Sequence, residues 1–182
     1  MLSYNFLSKL QVDLLDKNII EIAGEIDGDT ASYVHEALLR LAAKGSPDVT
    51  IRIISSGGAT APALDIYDLI RLYDGKSVGM VYSIARSMAA VILQGCTSRQ
   101  IARNANLMIH NVSQRSVSLD AISNEEKIKE IRASLERTQS RINIIISERT
   151  GKSLDEIKAT CSEDRDMDSE EALAFGLVDE II

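Results

Sequence analysis

The chain has 182 residues, 45% of them hydrophobic, enough for one full core, and a single domain is the expectation. Its formal charge is −7, from 20 Lys and Arg against 27 Asp and Glu, and no basic cluster interrupts it, which argues against a nucleic-acid partner. The start, MLSYNFLSKLQ, lacks a basic stretch followed by an apolar one, and no apolar run approaches a membrane span, so a cytoplasmic protein with no membrane contact is expected. Cys96 and Cys161 lie far apart with no metal-type spacing, as free thiols in a reducing compartment would.

In chain order, Asn18 to Ala23 is Ile-rich, ends at Gly24 and predicts a buried strand. Asp29 or Thr30 can cap a helix running to about Ala43, with Val34, Leu38, Leu41 and Ala42 on one face and Gly45-Ser46-Pro47 as its stop. Val49 to Ile54 predicts a second strand, followed directly by Ser55-Ser56-Gly57-Gly58. Thr60 and Pro62 open a helix whose apolar positions are Leu64, Tyr67, Ile70 and Leu72 or Tyr73. The pattern then repeats: Val78 to Tyr82 reads as a strand, Met88 to Leu93 as a helix, with Ser87 near the turn between them. A strand pair is expected near Gln100 to Ala102 and Leu107 to Ile109, ending in His110. Beyond it, Asn111 to Leu119 alternates without a clear apolar face. A capping box, Ser123 to Glu126, starts a helix of roughly 26 residues, about 39 Å long, which Gly151 stops. Its seam of Ile128, Ile131, Leu135, Ile142 and Ile145, longer than a small sheet can cover, is expected to meet another subunit. A second capping box, Ser153 to Glu156, opens a helix to about Cys161. The loop Asp164-Arg165-Asp166 follows, then a helix capped by Asp168 or Ser169 with Glu171 and ended by Gly176. Leu177 to Ile182 closes the chain as a strand.

Alternating strands and helices of this kind argue a mostly parallel sheet with helical cover, and the loops at the strands' carboxyl ends are the usual place for a site. Two such loops are the Gly57-Gly58 turn and the Ser87 turn, brought together if their strands are adjacent. Ser87 reads either as a helix N-cap or as a nucleophile on a strand-to-helix turn, where unpaired N–H groups collect an oxyanion. His110 would stand at the same sheet edge as its general base, with Asp164 or Asp166 as the acceptor that fixes its tautomer. The alternatives are a structural histidine and an ordinary Asp-rich turn, and His35 reads as a surface residue. No His-Glu-x-x-His, no Cys/His cluster and no P-loop lysine occurs, so neither metal nor nucleotide is expected on the chain.

Four blocks, in this order, resemble the proteolytic subunit of the Clp protease, the ClpP family: SSGGATAPALDIYD (55–68), ARSMA (85–89), LMIHN (107–111) and SERTG with EEALAFGLVD (147–151 and 170–179). The resemblance implies an α/β fold, the ClpP/crotonase-like layered parallel sheet with repeated βα units. It also implies a protruding handle of strand plus long helix at about 111–150, with the head at 1–110 and 151–182. It implies an ATP-dependent serine endopeptidase with Ser87 as nucleophile, His110 as base, Asp164 as acid and the N–H groups of Gly58 and Met88 as the oxyanion hole, with no cofactor. Polypeptides would be hydrolysed inside a homo-oligomer of two stacked heptameric rings, with an AAA+ unfoldase as a partner.

The sequence departs from the family at Ser56, where a proline is usual, at Ser83, where a glycine is usual, and at Arg86, where a small residue is usual. An arginine beside Ser87 would alter the pocket's shape or electrostatics. Asn111-Val112 replaces the usual Gln-Pro. Thr50 and Arg52, a start near the end of the axial loop and a stop at Ile182 weigh against an unfoldase. Two further readings are a phage-type head-maturation protease and a non-catalytic ring subunit; a crotonase-like enzyme would not need Ser87 and His110.

Overall fold

The computed structural model describes residues 7–114 and 116–182. The reading of the first six residues as free of a leader, and that of Arg115 as part of an alternating segment, lie outside the described residues. In chain order the elements are α1 (Lys9–Leu15), β1 (Ile19–Ala23), α2 (Gly28–Ala43), β2 (Val49–Ser55), α3 (Thr60–Arg71), β3 (Ser77–Arg86) and α4 (Met88–Gln94). There follow β4 (Ser98–Ile101), β5 (Asn106–Met108), α5 (Leu119–Ile122), α6 (Glu125–Thr150), α7 (Leu154–Glu163), α8 (Ser169–Phe175) and β6 (Glu180–Ile181). They fall into two compact units, one made of the chain up to Ile109 together with Arg165–Ile182, the other of His110–Asp164. No helix among the described residues is long and apolar enough to cross a membrane.

The first unit is organised on a parallel sheet in the order β1-β2-β3-β4-β6, with β5 paired to β3. Alternation in the strands decides which face is covered. Ile20 and Ile22 of β1 lie level with Ile51 and Ile53 of β2, and all four are buried, while Glu21 and Arg52 between them are half-buried. Parallel neighbours cannot be joined by a tight hairpin, and α2, α3 and α4 supply the crossovers. α2 packs on α3 and α3 on α4. Every residue of α4 is buried. Arg99 on β4, almost fully buried, is held by Asp179, the Gln94 side chain and the Gly176 carbonyl, tying the end of α4 to the turn after α8.

The α/β class and the mostly parallel sheet are as the sequence predicts, with local differences. α1 is not among the predicted elements; its capping box, Ser8 with Gln11, is the local signal for it. α2 is capped by Asp27, which accepts from Thr30 N–H at 2.9 Å, rather than by Asp29 or Thr30. The covered stripe of α3 is Ala63, Ile66 and Ile70; Leu64 and Tyr67 flank it, and Leu72 lies past the last turn and is 81% exposed. β4 and β5 do not pair with each other: β4 lies along residues 78–81 of β3 and β5 along residues 84–86.

In the second unit, α6 runs for 26 residues, but its cap is Asn124, whose side chain accepts from the N–H groups of Glu126 and Lys127. Ser123 instead closes α5, one residue too early to reach those amides. Gly151 ends α6 in the left-handed region at φ 72, open to glycine without a Cβ penalty. The compact unit continues through α7 to Asp164, beyond the boundary near residue 150 expected for the handle. The strand expected at the start of the handle is missing: residues 111–114 and 116–118 form neither strand nor helix. An extended segment needs a neighbouring strand to satisfy its backbone, and none lies beside these residues among the described residues of the unit.

Candidate active site

The turn at Ser87 begins with a distortion in the sheet. β2 and β3 run level to Ile53 and Val81, but the next partners are Ser55 and Ala85, so β3 carries extra residues between them. Such a bulge bends the strand and re-aims its end. β3 stops at Arg86 and α4 begins at Met88, leaving Ser87 at φ 55 and ψ −126. For a residue with a Cβ that conformation costs about 1–3 kcal/mol and persists only where neighbours enforce it. Here Ser87 N–H donates to Met108 O at 2.9 Å, and Ser87 O accepts from Ala90 N–H at 3.0 Å. Although Ser87 occupies the position before α4, its side chain makes no capping hydrogen bond. Ser87 is thus the N-cap of α4 by position and through its backbone carbonyl, not through its hydroxyl.

The Gly57-Gly58 turn lies against this elbow. Gly57 has φ +97, and a Cβ on it would stand 2.7 Å from Ser87 Cβ and 2.8 Å from Arg86 O. Any side chain there would drive the two turns apart. The buried Ser55 hydroxyl donates to Gly24 O at 2.6 Å and accepts from Gly57 N–H at 3.0 Å, holding the loop in place. Gly58 bridges to Ile26: Ile26 N–H donates to Gly57 O and Ala59 N–H donates to Ile26 O, so Gly58 N–H takes no part in that bridge. Met88 is the first residue of α4, where an amide has no acceptor within the helix. These are the two expected oxyanion donors.

His110 and Asp164 meet in the second unit. His110 Nδ1 lies 3.1 Å from Asp164 Oδ1. Asp164 follows α7 with φ 54 in the left-handed region, a conformation that Asp tolerates better than most residues. Asn111 N–H donates to Cys161 O at 3.1 Å, and Val112 N–H to Gln139 Oε1 at 2.6 Å, so the chain leaving His110 is anchored on α7 and α6. A carboxylate on Nδ1 favours the tautomer that leaves Nε2 able to accept a proton. Asp166, the other candidate, is engaged elsewhere: within the first unit it takes both Nε and Nη2 of Arg86, each at 2.6 Å. His35 is exposed on α2, as expected of a surface residue.

A family model described as Clp protease matches residues 4–182. The chain belongs to the Clp protease family. Clp proteases are peptidases that generally assemble into rings and process polypeptides, and peptide-bond hydrolysis is the reaction class that membership supports. Three contacts of this Clp protease are not legible in the sequence, although the residues that make them stand out there. Gly57, rather than Gly58, makes the close approach to Ser87, and the adjacency of two glycines was the available signal. The Ser55 hydroxyl and the Arg86–Asp166 pair join residues whose partners no local pattern discloses.

Proposed function

We propose that this chain is a serine endopeptidase that hydrolyses unfolded polypeptides or peptides inside a self-assembled oligomeric chamber. Ser87 is the nucleophile, His110 its general base, and Asp164 the acid that orients the imidazole. The carbonyl carbon of the scissile bond is attacked by Ser87 Oγ while His110 takes the hydroxyl proton, and the developing oxyanion is received by Gly58 and Met88 N–H. The proton passes to the leaving amine, and water then hydrolyses the acyl-enzyme by the same steps in reverse. The observation that carries this reading is the strained Ser87 elbow, whose hydroxyl is not used to cap the helix behind it.

The His110–Asp164 unit serves in the proposal as the assembly element. Leu119, Ile122 and Ile128 are exposed on α5 and α6, where a second subunit would cover them. The AAA+ unfoldase stays outside the proposal, because the positions that would receive its loop are Thr50 and Arg52, with the Arg52 guanidinium 5.5 Å from the centre of the Tyr82 ring.

The test is the mass of the protein after incubation with diisopropyl fluorophosphate, beside Ser87→Ala and a native-mass measurement. A single adduct that disappears in Ser87→Ala, with peptide hydrolysis reduced by about 10⁴-fold and assembly retained, is expected. A well-formed ring that takes no adduct would overturn the nucleophile assignment and bring forward a non-catalytic ring subunit.

A further inference from the structure

The residue immediately before Ser87 carries a fork-on-fork ion pair that the reaction itself does not require. Arg86 Nε donates to Asp166 Oδ1 and Nη2 to Oδ2, each at 2.6 Å, and the two side chains are 33% and 39% exposed. That geometry fixes orientation as well as distance, which a single contact between flexible side chains does not. The segment it grips is secured a second time one residue later, where Met167 N–H donates to Leu107 O at 2.7 Å and Leu107 N–H to Met167 O at 2.9 Å. Leu107 in turn precedes Met108, which lies level with Arg86 in the ladder between β3 and β5 and accepts the Ser87 N–H. The ties therefore form a closed circuit, from Arg86 to Asp166, from Met167 to Leu107, and from Met108 back to Ser87. All of it lies within the first unit.

A strained residue keeps its conformation only while its surroundings allow no cheaper one. Ser87 is restrained by Gly57 on one side, by Met108 on another and by Ala90 behind it, and the side chain of its immediate neighbour is a further lever on the turn. We propose that Arg86 and Asp166 are a positioning pair for Ser87, clamping the strained turn to the segment that begins two residues after Asp164. This rests on the serine-peptidase reading. Neither residue transfers a proton or touches the scissile bond; they act by fixing where Oγ stands. A small displacement of a nucleophile is costly in rate, whereas substrate binding spread along a peptide is not affected by it.

The experiment measures kcat and KM for a fluorogenic peptide and the rate of diisopropyl fluorophosphate uptake. It compares the parent with Arg86→Ala, the near-isosteric Asp166→Asn and the reversed pair Arg86→Asp with Asp166→Arg. Native mass and circular dichroism identify folded, assembled samples. Each single variant is expected to lower kcat and the labelling rate together by about five- to thirtyfold, with KM within about twofold. The reversed pair should regain most of the loss, which a general stability defect would not produce. Singles that match the parent, or a reversed pair no better than the singles, overturn the proposal while a labelled parent keeps the serine reading intact. A parent that takes up no label overturns both.

Discussion

Helix α4 buries all seven of its residues, whereas α6, with 26, buries only Ile142, Asn143, Ile145 and Ile146, all in its second half. α4 is a continuous apolar run, MAAVILQ, whereas α6 is largely polar and carries its apolar residues mainly as a stripe, so the pattern itself fits one helix for enclosure and the other for a single covered face. α4 is enclosed by its own sheet and by α3, and its apolar surface is used in folding the unit that holds Ser87. The first half of α6 presents Ile128, Ile131 and Leu135 at positions that are exposed or half-buried, and the short α5 packs on the helix. An apolar seam left open in a protomer contributes nothing to that protomer's stability, and its contribution comes on association. One region thus encloses the helix that follows Ser87, and under the proposed function the other leaves an apolar seam for a second subunit to cover.

The contrast breaks most visibly if the seam is charged. Ile128→Glu with Leu135→Glu should shift the native mass from the assembled species to smaller ones. The circular dichroism of the protomer should stay unchanged, because neither side chain is fully buried at present. Retention of the assembly would place the subunit contact elsewhere. A matched pair of truncations sharpens the same point in energy. Ile92→Ala empties a fully buried site on α4 and should cost about 3 kcal/mol in urea unfolding. Ile128→Ala, at a site 37% exposed, should cost less than about 1 kcal/mol when measured on the dissociated protomer.

The smallest effect tests whether the second unit has a real interior despite its open helix. Burial pushes the Cys161 thiol on α7 up to about 11, from an ordinary value of 9.0. The unfolded chain therefore loses this proton first as pH rises, so the contribution to stability is complete below about pH 9 and is lost on the way to 11. Unfolding midpoints should fall between pH 8.5 and about 10.5, and Cys161→Ala should flatten part of that slope. Tyr33 and Tyr73, raised chiefly by burial, act in the same direction at the upper end. Native protein at pH 8 should also resist iodoacetamide at Cys161, and rapid alkylation there would mean that α7 is not packed.

Much of the first unit is legible in its amino acids. Ile-rich alternation specifies β1 and β2, Gly176 marks the end of α8, and a strand run followed directly by helix formers places Ser87 at a turn. These are local signals, each contained within a few residues. Register and capping are less legible where several candidates stand side by side: Asn124 caps α6 although Ser123 has the conventional spacing, and Asp27 caps α2 ahead of Asp29. The choice there depends on which side chain reaches the free amides, and a shift of one position decides it.

The candidate site divides along the same line. By itself the sequence determined that Ser87 sits between a strand and a helix, that a glycine pair follows the neighbouring strand, and that His110 follows an apolar run, because periodicity and turn chemistry are properties of contiguous residues. Its local pattern left Asp164 and Asp166 open until the family resemblance pointed to Asp164, and it gave Arg86 no partner. Only the tertiary structure set Asp164 beside His110 and joined Arg86 to Asp166, residues 80 positions apart. The physical reason is that a contact between distant residues is fixed by the packing of whole elements, which brings together side chains that no local pattern relates.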